Sequence, residues 1–162
     1  MAEKERKFVL RHFPRNLGKG VKIRQGYIIS REEVEMRIRQ KGNKYFQCVK
    51  GGGDLSRPDW EPVMPKWVFD LLWPRTEGLR IMKMRYPIPM RHLTFEFDRF
   101  MGVLSLLRGL EIEFETEKEA KSFVLPPGID GVDVTYDKRF KNKNLAKLGS
   151  EELKVLLDEV LK

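Results

Sequence analysis

Long apolar runs are missing from this sequence. No stretch approaches the ~20 residues that span a bilayer, so no helical membrane anchor is expected. The opening MAEKERKFVL lacks the apolar core of a secretory leader, so none is expected. Cysteine occurs once, as Cys48, which excludes an internal disulfide and a multi-cysteine metal site. Cys48 reads as a small strand residue, and a reducing cytoplasm is the default setting. Histidine occurs twice, and His12 and His92 stand alone in the sequence. They read as surface or hydrogen-bonded residues rather than metal ligands. Internal repeats and low-complexity tracts are absent. Gly51-Gly52-Gly53 lacks the Gly-Lys-Ser/Thr ending of a phosphate-binding P-loop and reads as a hairpin turn.

What is present is charge. Of 162 residues, 35% are charged and 41% hydrophobic, which is the composition of a charge-rich globular chain. The length suits one domain, residues 1–162, with a sizeable core. The formal net charge of +8 favours a polyanionic partner. Nucleic acid, an anionic membrane surface and a small polyphosphate are the candidates.

Period-two alternation dominates the chain. It predicts strands over 21–29, 34–40, 45–50, 79–86, 92–97 and 110–114, and the Phe8-Val9-Leu10 ending predicts another. Helices are predicted over 66–73, between Pro65 and Pro74, and over 116–124, which starts acidic. The clearest helix is 150–162. Ser150 is placed to cap it, and Leu153, Leu156, Leu157, Val160 and Leu161 form its apolar stripe. Trp60, Trp67 and Trp73 read as packing residues. Lys141, Lys143 and Lys147 read as solvated surface.

Sorted into faces, the strands show an unusual pattern. Glu35, Arg37 and Arg39 oppose Val34, Met36 and Ile38. Glu111 and Glu113 oppose Leu110, Ile112 and Phe114. Same-face neighbours carry like charge: Glu3/Glu5, Arg37/Arg39, Lys83/Arg85, Glu96/Asp98 and Glu111/Glu113. They lie about 7 Å apart along a strand, where like charges repel. A closed barrel gives such pairs a purpose, because alternate residues of distant segments then line one lumen. Carboxylate pairs without His or Cys suit hard cations such as Mg²⁺ or Mn²⁺. Clustered Arg and Lys suit phosphate oxygens. Together they describe a site for a triphosphate and a divalent metal.

The ordered series Glu3-Lys4-Glu5-Arg6-Lys7, RQGYI, MRIRQ, YFQCVKGGGDLSRPDWE, IMKMRY, FEFDRFMG, GLEIEF and DVTYDKRFKNKNLA runs almost end to end. It resembles the CYTH superfamily, the triphosphate tunnel metalloenzymes, in its short bacterial form. The resemblance implies an α+β fold, an eight-stranded antiparallel β-barrel with helices packed outside. It implies metal-binding carboxylates at Glu3, Glu5, Glu111 and Glu113. Glu96 and Asp98 match acidic positions that orient the basic residues or touch the metal shell. A triphosphate clamp is implied at Arg37, Arg39, Lys50, Lys83 and Arg85, with Arg57 and Arg139 at less secure basic positions. Glu61 matches a carboxylate that positions the attacking water; the second acid of larger relatives is replaced by Pro62-Val63. Lys7, also in contact with substrate, and Tyr27 match the candidate base. Such a base needs a lowered pKa, and neighbouring cations in a closed lumen are expected to lower that of both groups.

The expected activity is metal-dependent hydrolysis of a triphosphate, foremost inorganic tripolyphosphate to pyrophosphate and phosphate. The alternatives are a class IV adenylyl cyclase, a thiamine triphosphatase and a non-catalytic polyphosphate-binding module. The carboxylate set argues against the last, because acids without a metal repel a polyanion. Nucleic acid is disfavoured as a partner, and monomer and homodimer stay open.

Overall fold

The computed structural model describes residues 4–51 and 59–162. The strands are β1 (Glu5–Leu10), β2 (Val21–Ser30), β3 (Val34–Lys41), β4 (Lys44–Gly51), β5 (Asp59–Trp60), β6 (Arg80–Met90), β7 (Leu93–Phe100), β8 (Arg108–Glu113) and β9 (Gly131–Asp133). The helices are α1 (Lys66–Leu72), α2 (Glu117–Ser122), α3 (Asn142–Leu145) and α4 (Ser150–Val160). The strands form one sheet in the order β5-β4-β3-β2-β6-β7-β8-β1-β9, and every neighbouring pair is antiparallel.

Turn chemistry fixes the register of the central ladder. Gly42-Asn43 joins β3 to β4, with Gly42 at φ +61°, a conformation that costs glycine nothing. Once that hairpin is set, Arg37 pairs with Tyr27 on one side and Cys48 on the other. Arg85 pairs with Asp98, and Lys7 with Glu111, which pairs in turn with Glu96. Residues paired across strands share a face, so the charged sets derived from alternation fall on one side of the sheet.

That side is concave. Glu5 on β1 and Lys50 on β4 are separated by five intervening strands, yet both line a single cavity. The expected antiparallel tunnel is present as a strongly curled sheet. Among the described residues its edges are not joined by a ladder, and the short strands β5 and β9 stand at the two edges.

Three apolar clusters hold the curl. On the outer face, Ile38, Tyr45 and Met64 pack on Phe69 of α1. Further round, Phe8, Leu10, Phe95, Phe97, Leu110 and Ile112 pack with Phe114 and Ala120 of the α2 segment. The third cluster fills one end of the concave face. There Val9, Tyr27, Ile81 and Phe100 meet Phe140, Leu145 and the α4 stripe Leu153, Leu156 and Leu157. Each fully buried side chain of this size contributes about 1.5–3 kcal/mol. The sheet therefore has a plugged, apolar end and an open, charged end.

Some expectations needed correction. Gly149, not Ser150, is the N-cap of α4; its N–H donates to Glu152 Oε1 at 3.0 Å, and Ser150 is the first helical residue. Thr116 caps α2 by accepting from the Glu119 N–H, so the helix starts at Glu117 and stops at Ser122. Trp60 and Trp67 are 57% and 68% exposed and are not packing residues. Trp67 lies two positions from buried Phe69, and on a helix that puts it on the opposite side. Trp73 does pack, stacked on Phe69 at 5.2 Å with the Arg80 guanidinium over its ring at 4.3 Å.

Gly26 sits where β2 passes beneath the turn after α1. A Cβ there would lie 2.4 Å from Cβ of Thr76, a side chain with no exposed surface. Gly26→Ala should therefore lower the unfolding free energy by about 1–3 kcal/mol, the usual cost of overpacking, measured by urea denaturation.

Candidate active site

The concave face carries a cavity of about 200 Å³, smaller than the ~300–1,000 Å³ of pockets for drug-sized molecules. Its lining comes from six strands. Lys7, Arg37, Arg39, Lys50, Lys83 and Arg85 supply six cations, against the two carboxylates Glu5 and Glu111. Such an enclosed positive surface focuses its field on a small anion.

The cations fall into two groups. On β6, Lys83 and Arg85 are tied to acids of β7 and β8. Asp98, 1% exposed, accepts from Lys83 Nζ at 2.8 Å and from two nitrogens of Arg85, each at 2.8 Å. Arg85 also reaches Glu96 at 3.2 Å and contacts Glu111. Glu111 lies 3.4 Å from Lys83 Nζ and 3.7 Å from Lys7 Nζ. Burial pushes the Glu111 carboxyl up, but Lys83, then Arg85 and Lys7, outweigh it and hold it well below the usual carboxylate range. Burial opposes the charge of Arg85, but its bond to Asp98 and the neighbouring carboxylates raise its pKa.

The second group, on β3, is different. The Nε atoms of Arg37 and Arg39 are buried and have no hydrogen-bond partner. The nearest carboxylate to Arg37 is Glu35, at 3.9 Å. Arg39 is lowered in pKa by burial first and by the repulsion of Arg37 next. An unpaired buried charged donor is costly, and two side by side mark a place where an anion completes the bonding.

The protein-family profiles yield no match to this chain. Curated relatives do match. The chain is 44% identical over 149 residues to an inorganic triphosphatase of Nitrosomonas europaea, covering 90% of this chain and 97% of that protein. The chain belongs to the CYTH family of triphosphate tunnel enzymes. An inorganic triphosphatase of Acetivibrio thermocellus is 34% identical over 148 residues, covering 90% of this chain and 93% of its own. A crystal structure of an inorganic triphosphatase superposes with TM-score 0.72 and 40% identity, over 90% of this chain and 98% of that one.

Within the tunnel the expected residues separate. Glu5, Lys7, Arg37, Arg39, Lys50, Lys83, Arg85 and Glu111 meet at the cavity. Glu113 is exposed and stands directly across the ladder from Glu5. Glu96 and Asp98 lie on the same face and hold Arg85. Glu61 is exposed, close enough to favour the charge of Arg39. Glu3 and Arg57 lie outside the described residues.

Two expectations fail. Arg139 does not line the cavity: it is an exposed surface residue, bonded to Asp137 at 2.7 Å and Glu159 at 3.0 Å. Tyr27 does not have a lowered pKa. Burial raises it and outweighs the opposing effect of Arg37, because the ring sits at 1% exposure in the apolar plug. Lys7 does line the cavity, with Nζ donating to the Phe140 carbonyl at 3.1 Å.

Sequence reasoning missed Gln25 and Asn142, which also line the cavity. Gln25 shares the alternating face of β2 with Tyr27, a signal the strand pattern contained. Asn142 arrives from α3, and no local pattern could place it.

Asp98→Asn should destabilise the fold by about 3–5 kcal/mol, because two buried cations lose their shared counter-charge; urea denaturation reads this. Glu111 also sets an acid limit. A carboxyl held below its unfolded value of about 4.3 stabilises the fold above that pH, and the contribution is lost as pH falls through the folded value. In metal-free protein, stability should decline below pH ~4, and Glu111→Gln should flatten that decline.

Proposed function

We propose that this chain hydrolyses inorganic triphosphate to pyrophosphate and phosphate within the charged tunnel. The observation that carries the reading is the pair of buried guanidiniums, Arg37 and Arg39, whose Nε donors have no partner at a small cation-lined cavity. Phosphoryl transfer asks mainly for positioning and charge neutralisation, and this lining supplies both.

Arg37 and Arg39 bind the phosphate chain through their planar forks, while Lys50 adds a point charge. Lys83 and Arg85 are held rigidly by Asp98 and need no reorganisation as charge develops. Lys7 lies at the cavity with its ammonium fixed by the Phe140 carbonyl, so we assign it, rather than buried Tyr27, to contact the reacting end. Glu61 is assigned to the attacking water. The water oxygen bonds to the terminal phosphorus as the bridging P–O bond breaks. Pyrophosphate leaves with that electron pair, and the proton displaced from the water goes to solvent.

The family implies a divalent cation, and the residues fit one. Glu5 and Glu113 face each other across neighbouring strands, a like-charged pair that is destabilising alone. Their donors are all oxygen, as Mg²⁺ or Mn²⁺ prefers. Among the described residues no three carboxylate, histidine or cysteine side chains group tightly enough to hold an ion alone. That suits Mg²⁺, which commonly uses one or two carboxylates together with substrate phosphates. When bound, such an ion neutralises charge on phosphate oxygens. Glu5 and Glu113 are the residues that would hold it, with Glu111 beside them and Glu3 as a further candidate.

The cyclase reading needs a purine-recognition surface at one tunnel end, and an aromatic cluster at the tunnel mouth would favour the thiamine triphosphate reading. Among the described residues lining the cavity there is no aromatic side chain.

Phosphate release from tripolyphosphate, ATP and thiamine triphosphate, with Mg²⁺, with Mn²⁺ and with EDTA, tests the proposal. Turnover should be metal-dependent and fastest on tripolyphosphate. Arg37→Ala should lower kcat/KM on tripolyphosphate by about 10–100-fold, the loss of a charge-assisted hydrogen-bonded contact. Cyclic AMP from ATP, or binding with no turnover of any of the three substrates in either metal, would contradict it.

A further inference from the structure

The tunnel does not account for the charge of this chain. Around the cavity, the six lining cations Lys7, Arg37, Arg39, Lys50, Lys83 and Arg85 are matched in number by Glu5, Glu35, Glu96, Asp98, Glu111 and Glu113 on the same face. The net charge of +8 must therefore reside elsewhere.

Part of it lies on the opposite, convex face. An open groove of about 780 Å³ runs beside the ends of β1 and β7 and the start of β8. Arg11, Arg15, Arg99 and Arg108 line it with His12, and no carboxylate is among its lining residues. Arg99 and Arg108 stand directly opposite each other in the β7–β8 ladder. Like charges in that position are destabilising. Among the described residues, neither they nor Arg15 forms a salt bridge, whereas Arg11 is paired with Asp130 at 2.8 Å. Alternation explains the position: Arg99 follows Phe95 and Phe97 on the outer side, while Asp98 points into the tunnel.

We propose that this groove is a second anion site, outside the tunnel, for a small ligand carrying clustered phosphates. Guanidinium forks match phosphate oxygens bidentately, and a bound anion would offset the Arg99–Arg108 repulsion. The concavity matches a small molecule in size. Single-stranded nucleic acid would need open aromatic platforms. Phe13 is not one: it is half-buried, packed edge-on to Tyr86 at 6.0 Å and Phe97 at 6.3 Å, with Arg99 over its ring at 4.8 Å. That stacking instead holds the Arg99 guanidinium in place. The site stands on its own residues and does not depend on turnover in the tunnel.

The test is calorimetric titration of the purified chain in EDTA with tripolyphosphate, inorganic phosphate, ATP and a short single-stranded RNA. Wild type should take up two equivalents of tripolyphosphate. The double variant Arg99→Gln/Arg108→Gln should keep one, its outer site weakened at least about 100-fold, roughly tenfold per charge-assisted contact. Its kcat and KM in metal should equal wild type. Arg37→Ala/Arg39→Ala should lose the other equivalent, so failure of either site is read separately. Arg15→Gln, on a loop, repeats the test where folding is not at issue and should weaken the outer site about tenfold. ATP binding at the outer site as tightly as tripolyphosphate would place a nucleotide's phosphates there and also support the proposal. A single equivalent in wild type that survives Arg99→Gln/Arg108→Gln, or two that survive both outer-groove variants, would overturn it. RNA binding much tighter than tripolyphosphate, and lost in the double variant, would also overturn it in favour of a nucleic-acid surface.

Discussion

Everything in the tunnel depends on how its buried cations are, and are not, neutralised. Asp98 binds Lys83 and Arg85 together, and Glu111 draws on Lys83, Arg85 and Lys7. These groups form a closed electrostatic unit on β1, β6, β7 and β8. On β3, Arg37 has only Glu35 at 3.9 Å as an ion-pair partner, and Arg39 forms no salt bridge among the described residues. The curl of the sheet sets them facing the same cavity as the paired cations, but β3 is three strands from β7 and the acids there are spent on β6. The result is a lumen with a rigid, satisfied half and a half with unmet donors.

That division has a thermodynamic meaning. Paired ions of the first half stabilise position more than fold, since buried pairs roughly offset their own desolvation. The unmet donors of the second half cost stability outright. The apolar plug of α4, Phe140 and the inward residues of β1, β2, β6 and β7 supplies the compensating burial at the other end of the same face. Binding an anion would convert the cost into affinity, which is how a fold stores energy for a charged ligand. The convex groove carries the same signature in milder form: opposed arginines that form no salt bridge among the described residues.

Much of this was legible in the sequence because strands write their faces with period two. The opposition of Glu35, Arg37 and Arg39 to Val34, Met36 and Ile38 is a local fact, and register only had to align it. The apolar stripe of α4 was equally plain. What escaped depended on distance in space. Asn142 reaches the cavity from a short helix near the C-terminus. Arg139 sits in a basic stretch, but its partners Asp137 and Glu159 hold it on the surface. Tyr27 shares a strand face with Gln25 and its hydroxyl accepts from Gln25 at 3.5 Å, yet its ring packs in the apolar plug and burial reversed its expected pKa shift. The edge strands β5 and β9 are too short to carry a period. Arg99 and Arg108 are ordinary surface residues until register sets them opposite each other.

The most direct measurement is the unfolding free energy of Arg39→Met, by urea denaturation in EDTA, with and without tripolyphosphate. Methionine keeps the apolar stem but removes a buried cation with an unmet donor. The account predicts a variant more stable than wild type by about 1–3 kcal/mol without anion, the penalty of the unsatisfied group. It also predicts that tripolyphosphate, which should stabilise wild type, leaves the variant nearly unchanged. A variant less stable than wild type and still stabilised by tripolyphosphate would mean that Arg39 serves the fold and not the anion.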